Sequence, residues 1–196
     1  MSSEGNHSAA AKLAKNSVSG LKELEKMLTE SPSPERVSSK LAQILNVSRN
    51  EVAVLRVEKG SLRFVFPPEL RAAGMIPMSS SAVAARTVST GTSLLSNSFA
   101  RVKHASLFET VKLGAAEDHQ GSEQMPIQKI MSVPVSLPEG KVVGVIQISR
   151  KGVDYSLAGT DFTTDDLKRL EQAAIILARM PFMEEGAPLD GSGSAT

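Results

Sequence analysis

The stretch Val142–Ser149, VVGVIQIS, limits what this chain can fold into more than any other. Its apolar residues fall on both faces of a strand, and such a strand belongs in the interior of a sheet. Ile130–Ser136 (IMSVPVS) and the tetrapeptide PEGK precede it, so the two runs form a hairpin. Another hairpin lies earlier in the chain. Glu51–Glu58 (EVAVLRVE) and Ser61–Phe66 (SLRFVF) flank Lys59-Gly60, a short turn with glycine where a positive φ is needed. PPEL then breaks the pairing, and Gly74 and Pro77 around Met75-Ile76 read as loop punctuation.

Helical spacing marks four further segments. From Ala10 to Glu30, Leu13, Val18, Leu21, Leu24 and Leu28, with Met27 beside them, form a narrow apolar seam on a charged, alanine-rich helix. That seam packs either on the domain's own sheet or on the same helix of a second copy. SPSP at 31–34 ends it. The next helix takes Ser33 as N-cap and Pro34 at its first position, buries Val37, Leu41, Ile44 and Leu45, and stops near Asn46. Met78–Val88 predicts a third, capped by Ser79, Ser80 or Ser81, with Ala82, Val83, Ala85 and Val88 facing a core and Gly91 as its left-handed C-terminal residue. The last begins at DFTTDDLKRL: Thr163 caps, Asp166 sits at N3, and Phe162 with Leu167 is spaced as a hydrophobic staple. Its buried face runs through Leu170, Ala174 and Leu177, and Pro181 stops it. Leu94-Leu95 reads as a very short strand. From Ser96 to Ile127 comes a long polar excursion holding one weak helix, Ala105–Leu113, and excursions of that length in compact domains are usually functional or disordered.

Charge and composition remove several classes of function. Lys and Arg number 22 against 21 acidic residues, a net charge of +1, so no global field holds the chain on a phosphate backbone and nucleic acid is not an expected partner. The chain has no cysteine, which excludes disulfides, thiolate nucleophiles, cysteine zinc sites and thioether-linked chromophores. The N-terminus MSSEGNHSAA has neither a basic nor an apolar leader region, and the longest apolar run, Ala173–Ala178, falls far below the roughly 20 residues that span a bilayer. A cytoplasmic chain without membrane contact is expected.

The order helix, hairpin, helix, polar excursion, hairpin, helix over about residues 34 to 180 resembles the GAF sensor domains. AVAARTVSTGTSLL at 82–95 is similar to that family's helix, Thr-Gly turn and short strand. IMSVPVSLPEGKVVGVIQISRK at 130–151 resembles its Val-Pro strand, hairpin and Gly-Val-Ile central strand, and FTTDDLKRLEQAAIILA at 162–178 resembles its closing helix. The resemblance implies an α/β (α+β) fold: a central antiparallel sheet of about six strands, helices packed on one face, and a pocket-covering excursion on the other. Members bind cyclic nucleotides, bilins, haem, small acids or nothing known, and many pair through their terminal helices. The redox and thioether-bilin subclasses need cysteine and are excluded here, and the Asn-Lys-x-Phe-Asp-Glu signature of the cyclic-nucleotide phosphodiesterase members is missing.

A pocket in such a fold draws its polar candidates from Arg86, Ser96, Asn97, Ser98, Arg101, Lys103, His104 and Ser132, with Phe99 and Phe108 as apolar walls. Of these, Arg86, Ser96, Asn97, Phe99, His104, Phe108 and Ser132 are assigned to ligand binding. Arg101, Lys103 and His104 suit either an anion or a solvated loop face. His104 and His119 have the chemistry for haem iron or zinc, yet their spacing matches no metal pattern, so no metal ligand is assigned and the cofactor is unknown. No serine stands in a GxSxG turn, and no catalytic residue is assigned. Gly144 inside an apolar strand marks the close approach of a helix or a ligand.

These readings define residues 1–9 as a disordered tail, 10–30 as an N-terminal dimerisation helix, 31–181 as the GAF-like domain and 182–196 as a second disordered tail. The expected function is a non-catalytic, stand-alone sensor or regulatory domain, a homodimer that binds a small molecule and signals through a partner protein or a dimer rearrangement. The alternatives are a ligand-free assembly module with a vestigial pocket and a haem sensor using His104 or His119.

Overall fold

A computed structural model describes residues 19–30, 33–101 and 125–189. Residues 19–26 are helical (α1) and run into a 3-10 turn, Met27–Thr29. α2 (Pro34–Leu45) follows, then the hairpin β1 (Val52–Glu58) and β2 (Ser61–Phe66), β3 (Met75–Pro77), α3 (Val83–Thr90) and β4 (Leu94–Ser96). β5 (Ile127–Ser136), β6 (Val142–Lys151) and α4 (Thr164–Leu177) complete the order. The strands form one six-stranded sheet in the order β3-β2-β1-β6-β5-β4, with every neighbour pair antiparallel.

β6 lies between β1 and β5, the interior position its two-sided apolarity demands. Ile146 and Ile148 point to one face, where α1, α2 and α4 cover them through Leu24, Leu41, Ile44 and Leu170. Val145 points to the other, into a layer with Ala84, Ala85 and Val88 of α3. Leu24 is fully buried in this single chain, so the part of the N-terminal seam that the structure describes packs on the domain's own core. Leu13 and Val18 lie outside the described residues.

Local chemistry explains most element ends. Ser33 Oγ accepts the Arg36 N–H with Pro34 at the first helical position, and Asn46 closes α2 in the left-handed region at φ 50°. Thr163 and Asp166 form a reciprocal capping box at the start of α4. The β1–β2 turn needs positive φ at two successive residues, 49° at Lys59 and 76° at Gly60, so lysine adopts there a conformation for which sequence reading looked only to glycine.

Three expectations are corrected. Met75–Pro77 is an edge strand paired with Ser61–Arg63, because residues 75 to 77 resume the sheet after a 3-10 segment, Pro68–Ala73. The serines at 79 to 81 do not cap α3: it starts at Val83 with Ala82 at the N-cap and no side-chain cap bond, while Ser80 N–H is taken by Pro77 O in a turn. The tail assigned as disordered from 182 is packed as far as 189. Phe182 and Met183 are buried in the helix-side core and Leu189 leans on it, since Pro181 ends the helix and turns the chain back over the sheet.

Gly144 shows what approaches it. A Cβ there would lie 2.3 Å from Leu55 O and 2.4 Å from Met183 Cε, so its neighbours are the adjacent strand and the short 3-10 helix Pro181–Met183. Gly144→Ala is expected to destabilise the fold by about 1–3 kcal/mol through overpacking, read as a lower urea midpoint with an unchanged m-value.

Candidate functional site

The two faces of the sheet differ in chemistry. Under α1, α2 and α4 the strands present Val52, Val54, Met131, Val133, Ile146 and Ile148, an apolar floor. Under α3 the same strands present a row of buried polar side chains instead. Ser132 on β5 and Gln147 on β6 are register partners and therefore share a face. Ser132 Oγ lies 2.8 Å from Thr87 Oγ1 of α3, and Gln147 Nε2 donates to Ser132 Oγ at 3.2 Å. Ser149, next along that face of β6, donates to Glu51 O at 3.3 Å. All four residues are buried, Ser132 completely.

Gln147 Oε1 has no hydrogen-bond partner although the residue is 2% exposed. A buried carbonyl left this way costs about 1–3 kcal/mol, and it is the kind of group that a bound molecule or water satisfies. The amide also works in either sense. Turned over, it would still offer one atom to Ser132 and leave the other bare. None of the four side chains titrates near neutral pH, so the floor is a neutral hydrogen-bonding surface.

The sequence-assigned residues divide around this floor. Ser132 is at its centre. Ser96, half-buried, is the register partner of Ile130 and borders it. Phe99 is 3% exposed and packs with Val83, Ile127 and Ile130, an apolar wall beside the polar row. Arg86 stands apart from the floor: it is exposed on the outer side of α3, because helical spacing turns Val83, Thr87 and Val88 inward. Asn97 is also engaged away from the floor. Its Nδ2 donates to Phe162 O and its Oδ1 accepts the Phe162 N–H, both at 2.9 Å, so its amide clamps the end of β4 to the start of α4. His104, Phe108 and His119 lie outside the described residues, as do Lys103 and the helix expected at 105–113.

Sequence reading missed Thr87 and Gln147. Gln147 sits in a run read only for its apolarity, and a single glutamine in VVGVIQIS was the available signal. Thr87 follows Arg86 in a helix whose apolar positions alone were assigned inward.

The charged pairs of the described residues stand apart from the floor. Lys129, 2% exposed, donates to Gly159 O at 2.6 Å, pairs with Asp161 at 2.8 Å and lies under the Tyr155 ring, 4.0 Å from its centre. The bond from Lys129, then that from the Tyr155 hydroxyl, hold the Asp161 carboxyl below the usual range. A depressed carboxyl stabilises the fold above its unfolded value, and that contribution is lost as pH falls through the lower folded value. This arrangement fixes the loop leading into α4.

Together these features describe an α+β sheet protein with one helix-covered face, largely apolar but holding the buried Arg56, and one face carrying a neutral polar floor under a single short helix. The GAF domain family profile matches residues 35–179. The chain belongs to the GAF domain family, a family of sensor and regulatory domains. Solved structures with the same fold include the GAF domain of a phosphoenolpyruvate-protein phosphotransferase from Acinetobacter, 13% identical with a TM-score of 0.59, covering 82% of this chain and 89% of that one. The corresponding domain from Coxiella burnetii is 10% identical with a TM-score of 0.57, covering 85% and 93%. The reduced form of fRMsr from Staphylococcus aureus is 19% identical with a TM-score of 0.54, covering 84% and 94%. A search of curated protein sequences finds no significant match.

The hydrogen-bonded cluster is testable without a ligand. Ser132→Ala is expected to cost about 1–3 kcal/mol because it orphans Thr87 Oγ1 and Gln147 Nε2 together. Thr87→Val in that background should add little, so a double-mutant cycle by urea unfolding shows coupling of about 0.5–3 kcal/mol, and additive effects would remove the cluster from the site.

Proposed function

We propose that this chain is a non-catalytic sensor or regulatory domain that takes a small molecule against the α3 face of its sheet. The observation that supports this most is the neutral polar floor of Thr87, Ser132 and Gln147 with the bare Gln147 carbonyl. A purely structural core gains nothing from that desolvated amide, whereas a ligand offering a hydrogen-bond donor removes its cost. The edge of the ligand that meets the floor is neutral, since no ionised side chain stands there to compensate a buried charge. Absence of catalysis fits the composition: a fold relative such as fRMsr is a reductase, and the cysteines on which redox members of the family rely do not occur in this chain.

The signal leaves through a second copy or a separate signalling protein. Homodimerisation through the terminal helices is supported by Ile175, 67% exposed on α4 among polar neighbours. Because Leu24 belongs to the core, deleting residues 1–30 would damage the fold itself, and Ile175→Arg is the cleaner test. It is expected to convert a dimer to a monomer in size exclusion with light scattering while leaving the melting temperature in place. An unchanged dimer would remove α4 from the interface. The described residues contain no helix long and apolar enough to cross a membrane.

The rival reading, an assembly module with a vestigial pocket, draws on Phe99 and on the alanines of α3, which pack tightly over the sheet. Thermal-shift screening of wild type and Gln147→Leu against nucleotides, small acids and amino acids separates the two. Binding to the native state alone raises apparent stability. The sensor reading expects a compound that raises the wild-type melting temperature by several degrees and fails to do so in Gln147→Leu, whose unliganded stability is equal or higher. No shift with any compound favours the assembly module.

A further inference from the structure

The segment after α4 is held against β1 by a buried cation. Arg56 lies on β1 in register with Gly144 of β6, on the helix-covered face, and is 1% exposed. Its Nη1 donates to Phe182 O at 3.1 Å and to Ala187 O at 2.7 Å, while Nε and Nη2 reach Glu58 Oε2 at 3.0 and 2.8 Å. Glu58 is shared with Arg63 at 3.3 Å, and Glu185 Oε1 accepts the Lys59 N–H at 2.8 Å. Met183 fills the space over the bare Gly144.

The backbone bonds within this segment are of another kind. Met183, Glu184 and Ala187 donate to Met180, Pro181 and Glu184, all local turns. No ladder joins the segment to the sheet, so its attachment consists of the Arg56 bonds, the Glu185 bond and the side chains of Phe182, Met183 and Leu189. Leaving the sheet would break no strand pairing. Arg56 would keep its two bonds to Glu58 and regain water at Nη1, which lowers the cost of parting. Such a unit opens below the free energy of global unfolding.

We infer that residues 181–189 form a releasable strap, latched by Arg56, that sets where the chain leaves the domain. Latched, Glu185 is held at the β1–β2 turn by the Lys59 N–H and Leu189 rests on the helix-side core. Released, the chain pivots at Pro181 and departs from the end of α4. The strap is thus a two-position element through which a change in the sheet is read at the C-terminal side, and it stands whether or not the α3 face binds a ligand.

Hydrogen exchange on the full chain tests this, read at the Met183, Glu184 and Ala187 amides against those of α4 and β1. Arg56→Gln should speed the strap amides by about tenfold or more, since charge-assisted bonds are lost, and leave α4 and β1 unchanged. Arg63→Gln, which touches only Glu58, should leave the strap as in wild type. If Arg56→Gln does not fold, Met183→Ala reports the same selective acceleration. Equal strap exchange in wild type and both strap variants overturns the latch, and so does exchange of strap, α4 and β1 together at one global rate. An Arg63→Gln effect as large as that of Arg56→Gln overturns the assignment to the Arg56 bonds.

Discussion

Burial of β6 on both faces is the constraint from which the rest of the architecture follows. A strand carrying Val145 on one side and Ile146 and Ile148 on the other is stable only between two strands and between two covering layers. β1 and β5 meet the first need. The second is met unequally, by α1, α2 and α4 on one face and by the short helix α3 on the other. This inequality makes the two faces chemically distinct: the broad helical layer seals an apolar floor, and the narrow one leaves room for Thr87, Ser132, Gln147 and Ser149 to be buried by pairing with one another and with the backbone.

Two interior positions of β6 meet different neighbours. Toward α3, Gln147 presents an amide that the protein alone does not satisfy. Three residues earlier and on the other face, Gly144 presents no side chain, which lets Met183 and Leu55 O approach and leaves the neighbouring Arg56 to grip the returning chain. A single strand therefore touches both the polar row under α3 and the returning C-terminal segment.

Local signals carried much of this into the primary structure. Ser33 with Pro34, the Thr163–Asp166 box, Lys59-Gly60 and Gly91 each act within a few residues, so their roles can be read directly, and each occurs where reading placed it. The edge strand β3 escaped because its three residues lie between a glycine and a proline, and only pairing with β2 makes them a strand. Ser132, a polar candidate from the resemblance, lies at the centre of the buried polar row. Where the Arg86 and Asn97 side chains lie was not legible, because it depends on the rotation of α3 and on the nearness of Phe162, 65 residues away in sequence from Asn97.

What the sequence alone determined is the order of elements, their caps and turns, the interior place of VVGVIQIS and membership in a sensor family, all consequences of periodicity and of interactions a few bonds long. Tertiary structure decided the rest. It took the chain back over the sheet after Pro181, turned Arg56 into a latch, and brought Thr87, Ser132 and Gln147 into one buried row. Hydrogen bonds between distant residues form only once packing has removed water from both partners, and no pattern along the chain records which donor will face which acceptor.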